Sequence, residues 1–173
     1  ATQNPIEQEG TYPLPEAQID RFMLKVTITY PSKEEEIAIM KKMTRPTEPI
    51  EKVMTGDTIL QIKEIVDQIF LDEKLYDYVA DIIFATREPD RFGLKELSPL
   101  IEYGSSPRGS LCLIKAAKAY AFLQGRGYVT PQDIKTIGLP ILRHRLVVSY
   151  EAEAQEQTSD DLLMKIFDTI HVP

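Results

Sequence analysis

The residues of this chain with the most chemistry to offer are arginines set beside free backbone N–H groups or at the ends of elements. Gly104-Ser105-Ser106-Pro107-Arg108-Gly109 reads as the opening of a helix, with Ser106 before it and Pro107 at the first helical position, where proline is well tolerated. The N–H groups of a first turn lack intrahelical partners and form the positive pole of the helix. Arg108 in that turn is mildly unfavourable for the helix, yet a guanidinium beside free N–H groups is suited to hold a phosphate. Such local conflicts tend to mark function. Arg21, in Leu14-Pro15-Glu16-Ala17-Gln18-Ile19-Asp20-Arg21-Phe22, sits at the mouth of an expected strand, where pairing with Asp20 or Glu16 is the ordinary outcome. Asn4, before Pro5, lies in an extended or turn segment. Arg143-His144-Arg145 reads as a solvated helix end whose cations suit the negative pole, with a second phosphate or partner contact as the other reading. Cys112 falls in the apolar, helical-looking Leu111-Cys112-Leu113-Ile114 and reads as an inert buried thiol. His144 has only His171 as a second histidine, so no metal site is expected. Tyr76, Tyr78, Tyr120 and Tyr128 read as core or rim.

The elements that must position these residues are mostly helices. Residues 5–20 are broken up by Pro5, Gly10, Pro13 and Pro15. Phe22, Leu24, Val26, Ile28 and Tyr30 alternate with Lys25, Thr27 and Thr29, the pattern of a half-buried strand that Pro31 ends. Ser32 and Glu35 form a capping box, and Ile37, Met40 and Met43 follow at helical spacing. The proline-rich stretch from Thr44 to about Asp57 is a connector. Ile59, Ile62, Val66 and Ile69 then make one helical stripe. Asp72 caps a helix to about Thr86, and residues 88–104 read as a loop. The helix from Ser106 ends near Gly125-Arg126-Gly127. Thr130-Pro131-Gln132-Asp133 is another capping box, opening a helix with a kink expected at Pro140. Residues 146–150 are short and β-prone, residues 151–158 are polar, and a last helix runs to about Ile170.

Composition narrows the classes. The 173 residues are 43% hydrophobic, enough for a packed core. Lys and Arg number 20 against 27 Asp and Glu, a formal charge of −7 that disfavours generic nucleic-acid binding. A lone cysteine makes neither a disulfide nor a zinc cluster and fits a reducing compartment. Apolar runs are far shorter than the ~20 residues that span a bilayer, and no signal-peptide pattern opens the chain. A cytoplasmic protein without a membrane span is the expectation. The start at Ala1-Thr2-Gln3-Asn4-Pro5 suggests an N-terminal truncation.

Taken together, three stretches resemble the MoxR family of AAA+ ATPases. They are residues 1–22 from Ala1-Thr2-Gln3-Asn4-Pro5 to Asp20-Arg21-Phe22; Ser106-Pro107-Arg108-Gly109 with Ala116-Ala117-Lys118-Ala119; and Tyr128-Val129-Thr130-Pro131-Gln132-Asp133-Ile134 onward through Leu142-Arg143-His144-Arg145-Leu146. The likeness covers essentially the whole chain, and its first run is highly specific. It implies a mainly α fold: a helical AAA+ lid bundle, residues 32–173, preceded by a short loop-and-strand remnant of an α/β P-loop ATPase core, residues 1–31.

By the same resemblance, Asn4 matches the sensor 1 position, which helps orient the attacking water. Arg21 matches the arginine finger that reaches a neighbouring subunit's nucleotide. Arg108 matches the sensor 2 arginine, which reads the γ-phosphate. ATP and Mg²⁺ are the implied cofactors of the intact protein, with none held tightly by this part alone. The implied partners are other copies in a ring and, in such families, von Willebrand A domain proteins; the implied role is chaperone-like remodelling or maturation of partner proteins. The pattern departs from the family in one respect: no G-x-x-x-x-G-K-[ST] phosphate loop occurs in the chain, and the acidic Walker B strand has no counterpart. Catalysis by this part alone is therefore not expected. The alternatives are a non-enzymatic helical interaction module, with Arg21 and Arg108 only structural, or a related AAA+ branch such as a magnesium chelatase subunit or a replicative helicase subunit.

Overall fold

A computed structural model describes residues 1–2, 14–46 and 49–173. It is mainly helical. The elements in chain order are α1 (Glu16–Ile19), α2 (Lys33–Met43), α3 (Gly56–Gln68), α4 (Glu73–Ala85), β1 (Ile101–Tyr103), α5 (Pro107–Leu123), α6 (Pro131–Leu142), β2 (Val147–Val148), α7 (Tyr150–Ala154) and α8 (Ser159–Thr169). The chain divides into two compact units. One contains residues 1–25 and 69–173; the other contains residues 26–68. This division runs across both stretches that the sequence suggests as domains.

In the smaller unit, α2 starts at the capping box that the sequence indicates. Ser32 N–H donates to Glu35 Oε2 at 2.7 Å and Glu35 N–H to Ser32 Oγ at 3.3 Å. α3 follows after Thr55, whose Oγ1 accepts from Thr58 N at 3.1 Å. Neither helix has a buried residue.

The larger unit holds the core. Ile82 of α4, Leu113 of α5, Ile134, Ile141 and Leu142 of α6, and Leu162, Leu163 and Ile166 of α8 are all fully buried. Each of the helices α4 to α8 is started by a side chain that satisfies one of its orphan N–H groups. Asp72 accepts from Lys74 N at 3.0 Å, and Ser106 from Arg108 N at 3.2 Å. Thr158 and Asp161 form a reciprocal box at the start of α8. The packing is close enough to select glycine at Gly104, Gly109 and Gly138. A Cβ on Gly138 would lie 2.2 Å from Phe167 Cζ, so α6 meets α8 only without one. A Cβ on Gly109 would lie 2.2 Å from Ser105 Oγ and 3.2 Å from Ile83 Cδ1, which brings the start of α5 close to α4.

The structure differs from the sequence expectation in four places. Residues 88–104 contain two 3₁₀ turns, Pro89–Phe92 and Lys95–Leu100, that bury Leu97 and Leu100, and then β1. β1 pairs antiparallel with β2, Ile101 opposite Val148 and Tyr103 opposite Val147. The polar stretch after β2 contains the short α7, capped by Ser149. Phe22–Tyr30 is not a strand: it has no ladder partner among the described residues, and Val26, Ile28 and Tyr30 are exposed. Alternation prepares one face for burial, but a strand exists only where another strand supplies its hydrogen bonds. Residues 16–19, within the stretch read as broken by prolines and glycine, form the short helix α1.

Candidate functional site

The start of α5 is fixed before its first residue. Thr86 is fully buried at the end of α4; its Oγ1 donates to Ile83 O at 2.6 Å and accepts from Ser105 N at 2.9 Å. Arg87 Nε donates to Ser105 O at 2.7 Å. These contacts hold residues 105–106 against α4 and so aim the first turn of α5, with Arg108 on it.

Facing that turn is Asp20, at the C-terminal end of α1. Ser106 Oγ donates to its carboxylate, 3.0 Å from each oxygen. Arg108 Nη1 is 2.5 Å from Asp20 Oδ2, and Arg145 Nε is 3.0 Å from Oδ1. Burial would raise the pKa of Asp20. The hydrogen bonds from Ser106, Arg108 and Arg145, with the Arg145 charge, outweigh it and hold the carboxyl below its ordinary value.

The two arginines that share Asp20 are in different settings. The Arg108 side chain is 48% exposed. That of Arg145 is fully buried, and its guanidinium donors are spent on the chain around Asp20. Nη2 donates to Asp20 O at 2.9 Å and Phe22 O at 2.5 Å, and lies 3.5 Å from Cys112 Sγ. Nη1 donates to Met23 O at 3.2 Å and to Ile141 O. His144 Nε2 donates to Phe22 O at 3.0 Å, which assigns the ring proton to Nε2. Burial pushes the His144 pKa down, and the Arg145 and Lys25 charges add to that. Lys25 N–H completes the attachment, 2.8 Å from Pro140 O.

Arg143-His144-Arg145 is therefore not a solvated helix end. Arg143 lies 2.9 Å from Asp160 with its side chain 16% exposed, and the other two residues grip the segment 20–23. The sequence does hold a signal for this. Arg145 continues the apolar stripe of α6 at helical spacing from Ile134, Gly138 and Ile141, and an ion on a buried stripe requires partners.

Of the residues singled out by sequence, Arg21 is exposed, on the turn just after α1, next to Asp20. Arg108 comes within an ion pair of that turn through Asp20. Asn4 lies outside the described residues. Cys112 is half-buried beside the Arg145 guanidinium rather than in a purely apolar setting. A cleft of about 290 Å³, lined by residues that include Glu16, Lys25, His144 and Glu153, includes neither Arg21 nor Arg108. Among the described residues no cluster of metal-ligand side chains occurs, and no helix is long and apolar enough to cross a membrane.

The arrangement is a half-exposed arginine on a helix's first turn, paired with a carboxylate. The AAA lid domain model matches residues 95–166, and the model of the ATPase family associated with various cellular activities (AAA) matches residues 1–24. Chaperone MoxR1 of Mycobacterium tuberculosis is 43% identical over the whole of this chain, which covers 46% of that protein. Protein MoxR of Paracoccus denitrificans is 32% identical, again over the whole chain and 55% of the relative. The chain belongs to the MoxR family of AAA+ ATPases. A crystal structure of a Cytophaga hutchinsonii protein assigned as an ATPase superposes with a TM-score of 0.94 at 39% identity, over 99% of this chain and 52% of that one. The MoxR-type chain thus spans about half the length of the relatives it matches and corresponds to their C-terminal part. The two family matches coincide with the two sides of the Asp20 cluster: Asp20 and Arg21 lie in the ATPase match, Arg108 and Arg145 in the lid match.

Proposed function

We propose that this chain is the sensing and lid part of a ring-forming ATPase that couples ATP binding and hydrolysis to chaperone-like remodelling of partner proteins. Residues 1–31 belong to the end of the ATPase core and residues 32–173 to the lid. The observation that carries the reading is the placement of Arg108. Its half-exposed guanidinium is held by a carboxylate of the residue adjoining Arg21. Asp20 is an internal anion at the place where a γ-phosphate would compete for the same guanidinium. Arg108 then reports phosphate occupancy to the lid, and Arg21 projects toward the nucleotide of a neighbouring copy. Asn4 orients the attacking water. ATP and Mg²⁺ are held chiefly by a phosphate loop and acidic strand that this chain does not contain, so this part alone neither hydrolyses ATP nor binds it tightly. Von Willebrand A domain proteins are the partner class that fits the family reading.

The test uses the intact ATPase. Phosphoryl transfer spreads negative charge over the γ-oxygens, and an arginine supplied in trans contributes about 10³–10⁵ in rate. Arg21→Ala should lower kcat by about that factor while ATP affinity changes little. Subunits with Arg21→Ala, mixed with subunits that cannot bind nucleotide, should regain turnover, because each supplies what the other lacks. Full activity of the Arg21→Ala protein would overturn the finger assignment, and ATP turnover by the 173-residue chain alone would overturn the division of labour.

A further inference from the structure

Residues 20–23, which carry Arg21, take more polar contacts from one residue far away in sequence than local backbone bonds of their own. The turn that carries Arg21 has three local backbone bonds: Asp20 N to Glu16 O at 2.8 Å, Arg21 N to Gln18 O at 3.2 Å, and Phe22 N to Ile19 O at 3.0 Å. α1 has only four residues and buries none of them. A helix of that length has no stability of its own, since nucleation costs more than its few bonds return. Its attachment to the lid is polar, and Arg145 makes more of these contacts than any other residue, binding the backbone carbonyls of Asp20, Phe22 and Met23 and the carboxylate of Asp20. These acceptors bracket Arg21 on both sides, while its own side chain stays exposed.

On this basis, and resting on the reading of Arg21 as a trans-acting finger, we propose that Arg145 is a positioning residue for Arg21. Its buried guanidinium clamps the backbone of residues 20–23 to the end of α6, so that the Arg21 side chain leaves a fixed turn in a fixed direction. The rigid planar fork is essential to the clamp. An ammonium presents three donors from one point and cannot span a carboxylate and carbonyls on several sides. A finger must meet a developing charge on another subunit, and misplacement of a reacting group by about 1 Å can cost on the order of 10²-fold in rate. Because Asp20 also binds Arg108, the clamp places the finger-bearing turn and the lid arginine on one carboxylate.

The experiment is a double-mutant cycle in the intact ATPase with Arg145→Lys and Arg21→Ala. Arg145→Lys should lower kcat by about 10-fold to 10²-fold, with the ATP affinity of the variant's own site unchanged. In the Arg21→Ala background it should cost nothing further, because a clamp without a finger has no effect on turnover. Amide exchange at residues 20–25 should speed up in Arg145→Lys while that of α4 stays slow. Asp20→Asn, which leaves the backbone carbonyls to Arg145, should show the same non-additivity with a smaller loss, and it serves as the readout where Arg145→Lys does not fold. Equal proportional losses from Arg145→Lys or Asp20→Asn in the presence and absence of Arg21 would overturn the positioning role, as would wild-type turnover of a folded Arg145→Lys protein. Failure of the finger reading itself has a separate signature, namely unimpaired turnover of Arg21→Ala alone.

Discussion

Two carboxylates, Asp133 and Asp20, are each held by arginine and a hydroxyl-bearing side chain, and they serve different ends. Asp133 is the third residue of α6. It accepts from Thr130 N at 2.7 Å and Thr130 Oγ1 at 2.9 Å, and pairs with both Nη atoms of Arg126 at 2.9 and 2.5 Å. All its partners lie within seven residues, and its side chain is 4% exposed. The Asp20 partners lie 86 to 125 residues away. One of them, Arg145, is sealed and the other, Arg108, is half in solvent. The Asp133 cluster is closed and local, so it only starts a helix. The Asp20 cluster joins the ATPase-matched segment to the lid-matched one through one sealed partner and one half-exposed one, and under the proposed function the half-exposed one is the partner that a phosphate would take over.

This contrast can be broken at several points, and the largest effect should come from its sealed arm. Arg145→Ala removes the guanidinium donors to the carbonyls of Asp20, Met23 and Ile141 and a charge partner of Asp20, leaving Phe22 O to His144 alone. Loss of one member of a buried, hydrogen-bonded pair costs about 3–5 kcal/mol, and denaturant unfolding should show a lower midpoint of that order. Asp133→Ala should rank second, at about 1–2 kcal/mol for a lost helix cap, with the loss confined to protection of the α6 amides in hydrogen exchange. If Asp133→Ala cost more than Arg145→Ala, the local cluster would be the stronger of the two and the comparison would invert.

The pH dependence comes next in size. Burial lowers the His144 pKa, so the unfolded chain takes up this proton first. Its contribution to stability is present above the unfolded value of about 6.5 and is lost as pH falls below it. Asp20 and Asp133 are both held below their ordinary range, so their contributions are present above about 3.9 and are lost as pH falls through the folded values. Thermal midpoints should therefore decline in two acid steps. His144→Gln should flatten the upper step, and Asp20→Asn or Asp133→Asn the lower. A profile unchanged by all three substitutions would contradict this assignment.

The smallest effect should be that of Arg108→Ala on stability, under about 1 kcal/mol, since half-exposed ion pairs contribute little. A midpoint shift as large as that of Arg145→Ala would show Arg108 to be a fixed structural partner, not an exchangeable one. Removal of this weak contact should still abolish the nucleotide response of the intact ATPase, measured as lid closure on ATP addition.

The legible parts of the fold share a property. The boxes Ser32/Glu35 and Thr130/Asp133, Asp72 before α4, and Pro107 at the first position of α5 all act over three or four residues. Sequence spacing is then nearly the same as spatial distance. The helical spans of α4, α6 and α8 are legible for the same reason. Residues 88–104 are harder, because their 3₁₀ turns exist to bury Leu97 and Leu100 against a core assembled from other elements. Arg143-His144-Arg145 misleads because three cationic or titratable residues at a helix end have a satisfactory solvent-facing explanation, and the anion that draws Arg145 inward is over a hundred residues away.

The sequence by itself determined where most of the longer helices begin, that the chain is mainly α, which family it belongs to, and that Arg21 and Arg108 stand out. Local hydrogen bonds and a 3.6-residue period are enough to write those features into short words. Only the tertiary structure decided that Asp20 is shared by Arg108 and Arg145, that Arg145 is buried, and that Phe22–Tyr30 has no ladder partner among the described residues. An ion inside a protein is stable only where distant segments converge to solvate it, and a strand only where another chain segment completes its ladder.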